Sequence, residues 1–192
     1  MRIRSILPLA AVLALAGCGS PPTHFYTLNP VPPAAAPAAG APVTPPLEVG
    51  QVSIPDVLDR DAIVEAASHG QVDVNGEQVW ASDIDEMIRS TLSSDLMARL
   101  PTGSVLPPGD PGSSAGIQVL VVNILHFGGD TSGHVVLSAE WTTYRNSALT
   151  APPPRPVMIR LQAPSGAVAD IVPVMSQALG ALADRIAQGV RQ

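Results

Sequence analysis

Residues 117–127 read IQVLVVNILHF, the stretch that decides the fold. Extended, it puts Ile117, Val119, Val121, Leu125 and Phe127 on one side and Leu120, Val122 and Ile124 on the other. A strand apolar on both sides through its middle is predicted to lie inside a sheet, covered on two faces. Residues 128–133 (GGDTSG) then turn the chain into 135–144, where Val135, Leu137, Ala139 and Trp141 alternate with Ser138 and Glu140. That alternation marks a half-buried antiparallel partner. Beyond a proline-rich loop at 151–156, Val157, Ile159 and Leu161 point inward and Met158 and Arg160 outward.

Outward from this core the period changes. Ile84, Ile88, Leu92, Leu96 and Leu100 recur every fourth residue with Met87 beside them, which predicts an amphipathic helix over 83–100. Ser82 is its expected N-cap, Asp83, Asp85 and Glu86 suit the positive end of its dipole, Arg99 the other end, and Pro101 stops it. A second helix is expected over 170–190, capped by Asp170, with Pro173 in its first turn and a stripe of Met175, Leu179, Leu182, Ile186 and Val190. Upstream, 47–54 reads as a strand ended by Pro55, 63–67 as a second, and 71–74 with 77–80 as a hairpin around Asn75-Gly76. A turn-rich loop at 103–116 holds a candidate short strand at 104–106. No solenoid period is visible. The expected fold is α+β: a mostly antiparallel or mixed β-sheet with two amphipathic helices packed on it.

The N-terminus is of another kind. Arg2 and Arg4 precede an apolar run at 6–16. As a helix that run spans about 16 Å against the ~30 Å of a bilayer core, so it has the length of an export signal and not of a membrane span. Leu15-Ala16-Gly17-Cys18 follows, which resembles the lipobox of bacterial lipoproteins. The resemblance implies cleavage after Gly17 and acylation of Cys18 with fatty chains such as palmitate. At ~0.8 kcal/mol per buried CH₂, two or three such chains make a lasting anchor. Gly19-Ser20 after the cysteine lacks the aspartate typical of lipoproteins retained in the inner membrane, which implies the periplasmic face of the outer membrane. The expected organisation is a signal peptide at 1–17, a lipidated N-terminus with a short strand and a Pro/Ala-rich segment at 18–46, and the folded domain at 47–192. Within the middle segment, Phe25-Tyr26-Thr27-Leu28 favours extended structure, and 29–46 carries seven prolines, too many to build a core.

Composition excludes several functions. The net charge is −6, or −8 once Arg2 and Arg4 are removed, and there is no lysine. An acidic chain lacks the basic footprint of a nucleic-acid binder or a polybasic membrane module. A single cysteine excludes an internal disulfide. His24, His69, His126 and His134 show no helical zinc spacing; His126 and His134 flank a turn near Asp130, and strand-end polar residues are the better reading. Asp56, Asp59 and Asp61 lack the frame of a calcium loop, so turn-capping and a salt bridge to Arg60 are expected. No nucleophile elbow, phosphate loop or dinucleotide fingerprint occurs, and no metal site or cofactor is expected. Ile84, Met87, Ile88 and the last helix's stripe fit a core better than a lipid pocket.

Phe25-Tyr26-Thr27-Leu28 after a lipobox, Ile54-Pro55 with Leu58-Asp59-Arg60 and Ile63-Val64, Trp80-Ala81 leading to Ala98-Arg99-Leu100-Pro101, and Val136–Trp141 come in order along the chain. Together they resemble the PqiC/YmbA-like auxiliary lipoproteins of ABC-type transport systems. Val57 stands where an aromatic residue is common, Asp61-Ala62 where Pro-Gln is, and the Pro/Ala stretch looks like an insertion. The resemblance implies a non-enzymatic outer-membrane lipoprotein. Its partners would be an MCE-domain protein and inner-membrane transport subunits that move lipid between membranes, with phospholipid contact and a homo-oligomer as open possibilities. Leu58, Asp59 and Arg60 either bind the partner or shape a turn. The competing functions are a structural outer-membrane assembly lipoprotein and a periplasmic hydrolase.

Overall fold

The computed structural model describes residues 21–34, 40–66, 71–107, 116–145 and 152–191. The order is β1 (His24–Tyr26), β2 (Leu47–Ser53), β3 (Ala62–Ala66), β4 (Val72–Trp80), α1 (Ile84–Arg99), β5 (Gln118–Gly129), β6 (His134–Arg145), β7 (Arg155–Gln162) and α2 (Val168–Val190). The fold is α+β, as expected, with its strands divided between two sheets. The larger has the order β2-β5-β6-β7, parallel between β2 and β5 and antiparallel elsewhere. The smaller has the order β1-β4-β3, with β1 parallel and β3 antiparallel to β4.

Both helices lie on one face of the larger sheet, α1 against β2 and α2 against β5, β6 and β7. There Leu120, Val122, Ile124 and Phe127 meet Val135, Leu137, Ala139 and Trp141, all buried, and Ile88, Leu92, Leu96, Leu179, Leu182 and Ile186 close the layer from above. Ile84 and Met87 are core as well.

Phe127 reaches that face by an irregularity that period-two reading misses. Ile124 pairs with Ala139 but His126 with Ser138, so Leu125 is skipped in a β-bulge. Leu125 stays on the outward face with Asn123, 50% exposed, while the bulge turns Phe127 inward, to the face opposite the one alternation predicts. Nor is β5 covered equally on both faces: Val119 and Val121 are half-buried and Asn123 is exposed.

The expected hairpin at Asn75-Gly76 does not form. β4 is one strand, and its antiparallel partner is β3. Val64 pairs with Val74 and Ala62 with Val79, so β4 spends extra residues across this gap and absorbs Asn75-Gly76 as a bulge rather than a turn. Tertiary pairing with β1 and β3 overrides the local turn signal.

The helix starts also differ. Asp83, not Ser82, occupies the N-cap of α1, and its side chain makes no capping bond. In α2 the N-cap is Ala167; Asp170 lies in the first turn and accepts a bond from the Ser165 hydroxyl, whose oxygen in turn accepts one from the Ala167 amide. Because α2 begins early, Pro173 falls inside the helix and withholds the N–H that would bond Ala169.

Candidate functional site

After β2 the backbone makes a tight turn: the Leu58 amide donates to the Pro55 carbonyl at 2.8 Å and the Arg60 amide to the Leu58 carbonyl at 2.9 Å. The Asp61 carbonyl then accepts the Trp80 amide at 2.7 Å, which pins the turn to the end of β4. Leu58 is buried and anchors the turn, whereas Asp59 and Arg60 are exposed. Of the three residues singled out in the sequence, one is a peg and two face solvent side by side. The expected salt bridge from the Asp56–Asp59–Asp61 cluster to Arg60 does not form among the described residues. Backbone amides hold the turn instead.

The same turn borders an apolar groove of about 90 Å³, where Pro55, Leu58, Val64 and Phe127 line the junction of the two sheets. Three exposed apolar side chains also line it, Val57 at 40%, Val72 at 51% and Leu125 at 50%. The bulge in β5 lies at this edge of the groove. The volume is well below the ~300 Å³ at which small-molecule pockets begin, so the groove suits a partner's side chain rather than a ligand.

Among the ionisable groups, Asp130 lies beside the turn after β5. Asp130 accepts bonds from the Ser132 and His134 amides, and its other oxygen lies 3.2 Å from His134 Nδ1. These contacts, the His134 amide foremost, hold the Asp130 carboxyl below its usual range. His126 lines the apolar groove instead of joining them. Among the described residues no three metal-ligating side chains converge. Glu65 faces Asp73 across β3 and β4, and partial burial followed by that like charge raises its pKa.

One buried polar cluster escapes sequence reading. Asp95 is fully buried on α1, where its Oδ1 accepts the Val31 amide at 2.8 Å and Arg99 Nη1 at 3.1 Å. Arg99 also donates to Asp184 Oδ1 on α2 at 2.7 Å and to the Val31 carbonyl at 3.0 Å. Gly180 makes room: a Cβ there would lie 3.1 Å from both Arg99 Nη2 and Val31 Cβ. The Asn29 amide donates to Ser176 Oγ at 3.1 Å, and Leu28 is buried. Residues 24–31, grouped with the N-terminal segment on sequence grounds, are thus stitched to α1, α2 and β4. Burial of the Asp95 carboxylate outweighs the Val31 amide and the Arg99 charge, so its pKa is raised.

Cys18, with Leu15, Ala16 and Gly17, lies outside the described residues, which begin at Pro21, three residues before β1. No helix among the described residues is long and apolar enough to cross a membrane.

Comparison with known proteins agrees with this arrangement. The chain is 32% identical over 133 residues to the intermembrane transport lipoprotein PqiC of Escherichia coli (strain K12), covering 68% of this chain and 69% of that protein. The Shigella flexneri protein of the same name matches equally. A crystal structure of an uncharacterized protein superposes with a TM-score of 0.70 at 26% identity, covering 88% of this chain and 99% of the other. Protein XCC0632 from Xanthomonas campestris shares the fold with a TM-score of 0.67 at 13% identity, over 85% and 92% of the two chains. The family model for the ABC-type transport auxiliary lipoprotein component matches residues 26–187, from inside β1 to the last turns of α2, so the chain belongs to that family.

Proposed function

We propose that this protein is a non-enzymatic accessory subunit of an intermembrane lipid transport system, held on the periplasmic face of the outer membrane by acyl chains on Cys18. The domain docks to an MCE-type protein whose inner-membrane partners power transport. The observation that carries this reading is the 32% identity, over two thirds of both chains, to a protein named as an intermembrane transport lipoprotein. The lipobox-like Leu15–Cys18 supports it.

The surface best suited to the partner is the apolar groove with Val57, Val72 and Leu125, flanked by the exposed Asp59 and Arg60. The test is affinity capture of the membrane-anchored protein, with partners and co-purifying lipid identified by mass spectrometry. The reading expects an MCE-type subunit in repeated captures, and its consistent absence would overturn the transport role. In the Cys18→Ala variant the acylated peptide should disappear and the protein should leave the membrane fraction; an unmodified thiol at Cys18 in the parent would refute the anchor.

A further inference from the structure

Three arginines gather at the C-terminal end of α2. Arg145 at the end of β6, Arg155 at the start of β7 and Arg191 just beyond α2 line an open groove of about 550 Å³ with Gln118, Thr143 and Gly189. Among the described residues no carboxylate side chain lines it. The sequence accounts for that: no Asp or Glu occurs before Glu48, between Glu140 and Asp170, or after Asp184, and these acid-free runs supply most of the groove. In a chain with 16 acidic residues against 10 arginines, such a pocket of one sign is conspicuous.

The groove is also built. The Arg155 guanidinium lies 4.9 Å from the Trp141 ring centroid, a cation–π stack, and its Nη1 donates to the Gly189 carbonyl at 3.3 Å. A Cβ at Gly189 would fall 2.5 Å from Trp141 Cη2 and 2.6 Å from Arg155 Nη1, so the stack requires glycine there. Arg191 Nε is steadied by the Ala187 carbonyl at 2.9 Å. Gln118 Nε2 donates to the Thr143 hydroxyl oxygen at 2.7 Å, which leaves that hydroxyl its own hydrogen to donate. None of the three arginines has an ion-pair partner among the described residues.

Three guanidinium groups lining one groove, with no carboxylate among its described lining residues, favour a bound anion. Planar guanidinium forks match the oxygens of a phosphate best. The geometry points to a phosphate-binding groove, in which Arg145 and Arg155 hold a phosphate ester such as that of a phospholipid headgroup and Arg191 flanks it. The lipid as source rests on the transport reading above; the anion chemistry does not.

The test titrates the mature full chain in nonionic detergent with dihexanoylphosphatidylglycerol below its micelle concentration, with inorganic phosphate, and with dihexanoylglycerol as the uncharged control. Calorimetry and tryptophan emission report binding. The phosphatidylglycerol is expected to bind and the uncharged lipid not. The double substitution Arg145→Gln/Arg155→Gln should weaken binding at least about tenfold with the thermal midpoint retained. Should the double variant fold poorly, Arg145→Gln alone, whose side chain has no partner among the described residues, should still weaken it several-fold. Equal binding of inorganic phosphate would support the site and assign it to free phosphate. Binding by neither phosphate compound, or binding undiminished in the folded variants, would overturn it. Normal capture of transport subunits by a protein that binds no phosphate would refute the groove and leave the transport role intact.

Discussion

The two sheets of this domain are put together by opposite rules. In the larger, β5 and β6 pair almost without interruption from Gln118–Arg145 to Gly129–Val135, and one face lies under two helices. In the smaller, β3 and β4 pair across a bulge, Glu65 opposes Asp73, and Val72 and Val74 stand exposed on β4. Apolar area removed from water stabilises the first at roughly 25 cal/mol per Å². The second keeps apolar area in water and a like-charge pair across its strands, features that weaken a sheet and suit a surface meant to be covered by something else. The exposed valine Val72 of the smaller sheet meets Leu125 of the larger one at the groove beside the Leu58 turn.

The largest effect is expected beneath the helices. Arg99→Met should cost about 3–5 kcal/mol, because it strips the buried Asp95 carboxyl of its ionic partner and the Val31 carbonyl of its donor. The double substitution Asp95→Leu/Arg99→Met should recover most of the loss, and urea unfolding of the single and double variants measures this. A buried ion pair is often no more stabilising than an apolar replacement, so the cluster's contribution is to fix residues 29–31 against both helices. Next, Leu137→Ala should lower the unfolding free energy by about 2–5 kcal/mol. Val74→Ser in the smaller sheet should stay within about 0.5 kcal/mol. Equal losses at Leu137 and Val74 would erase the contrast between the sheets.

Titration gives a smaller, signed effect. The raised pKa of Glu65 means that its favourable contribution is complete below its unfolded pKa and is lost as pH rises through the folded one. Asp95 acts in the same direction. Glu65→Gln, which removes the repulsion from Asp73, should therefore gain stability over the parent as pH climbs from about 4 towards 7. Urea midpoints across that interval check it; a gap that narrows with rising pH would contradict it. Last, Leu125→Ser should hardly change the urea midpoint yet reduce partner recovery in the capture experiment. Unchanged recovery would remove the groove beside the Leu58 turn from the interface.

The larger sheet could be read from sequence because its burial follows simple periods: β6 and β7 alternate, and α1 and α2 repeat their apolar residues at helical spacing. The smaller sheet could not, because its pairing is non-local and Asn75-Gly76 imitates a hairpin turn. Leu125 and Phe127 were assigned to one face because a bulge carries no signal in a two-residue period. Asp95 and Arg99 went unnoticed as core residues because charged side chains on a helix ordinarily face water. Yet they continue the spacing of Ile88 and Leu92 by three and four residues, the signal that places them inward. Asp184 and Val31, which complete the cluster, are brought to it only by the tertiary fold. Of the candidate site, Leu58 was visible as a motif, but its neighbours in the groove come from β3, β4 and β5 and no linear pattern unites them.

The stitching of residues 24–31 into both helices has a mechanical consequence. If the proposed anchor at Cys18 holds, a pull on it arrives first at β1, whose three residues run parallel to β4. Past β1 the load passes to Leu28, to the Asn29–Ser176 bond and to the Asp95–Arg99 lock on Val31. Tension along such a leash would then end in the body between the helices, and the surface beside the Leu58 turn would stay out of its path.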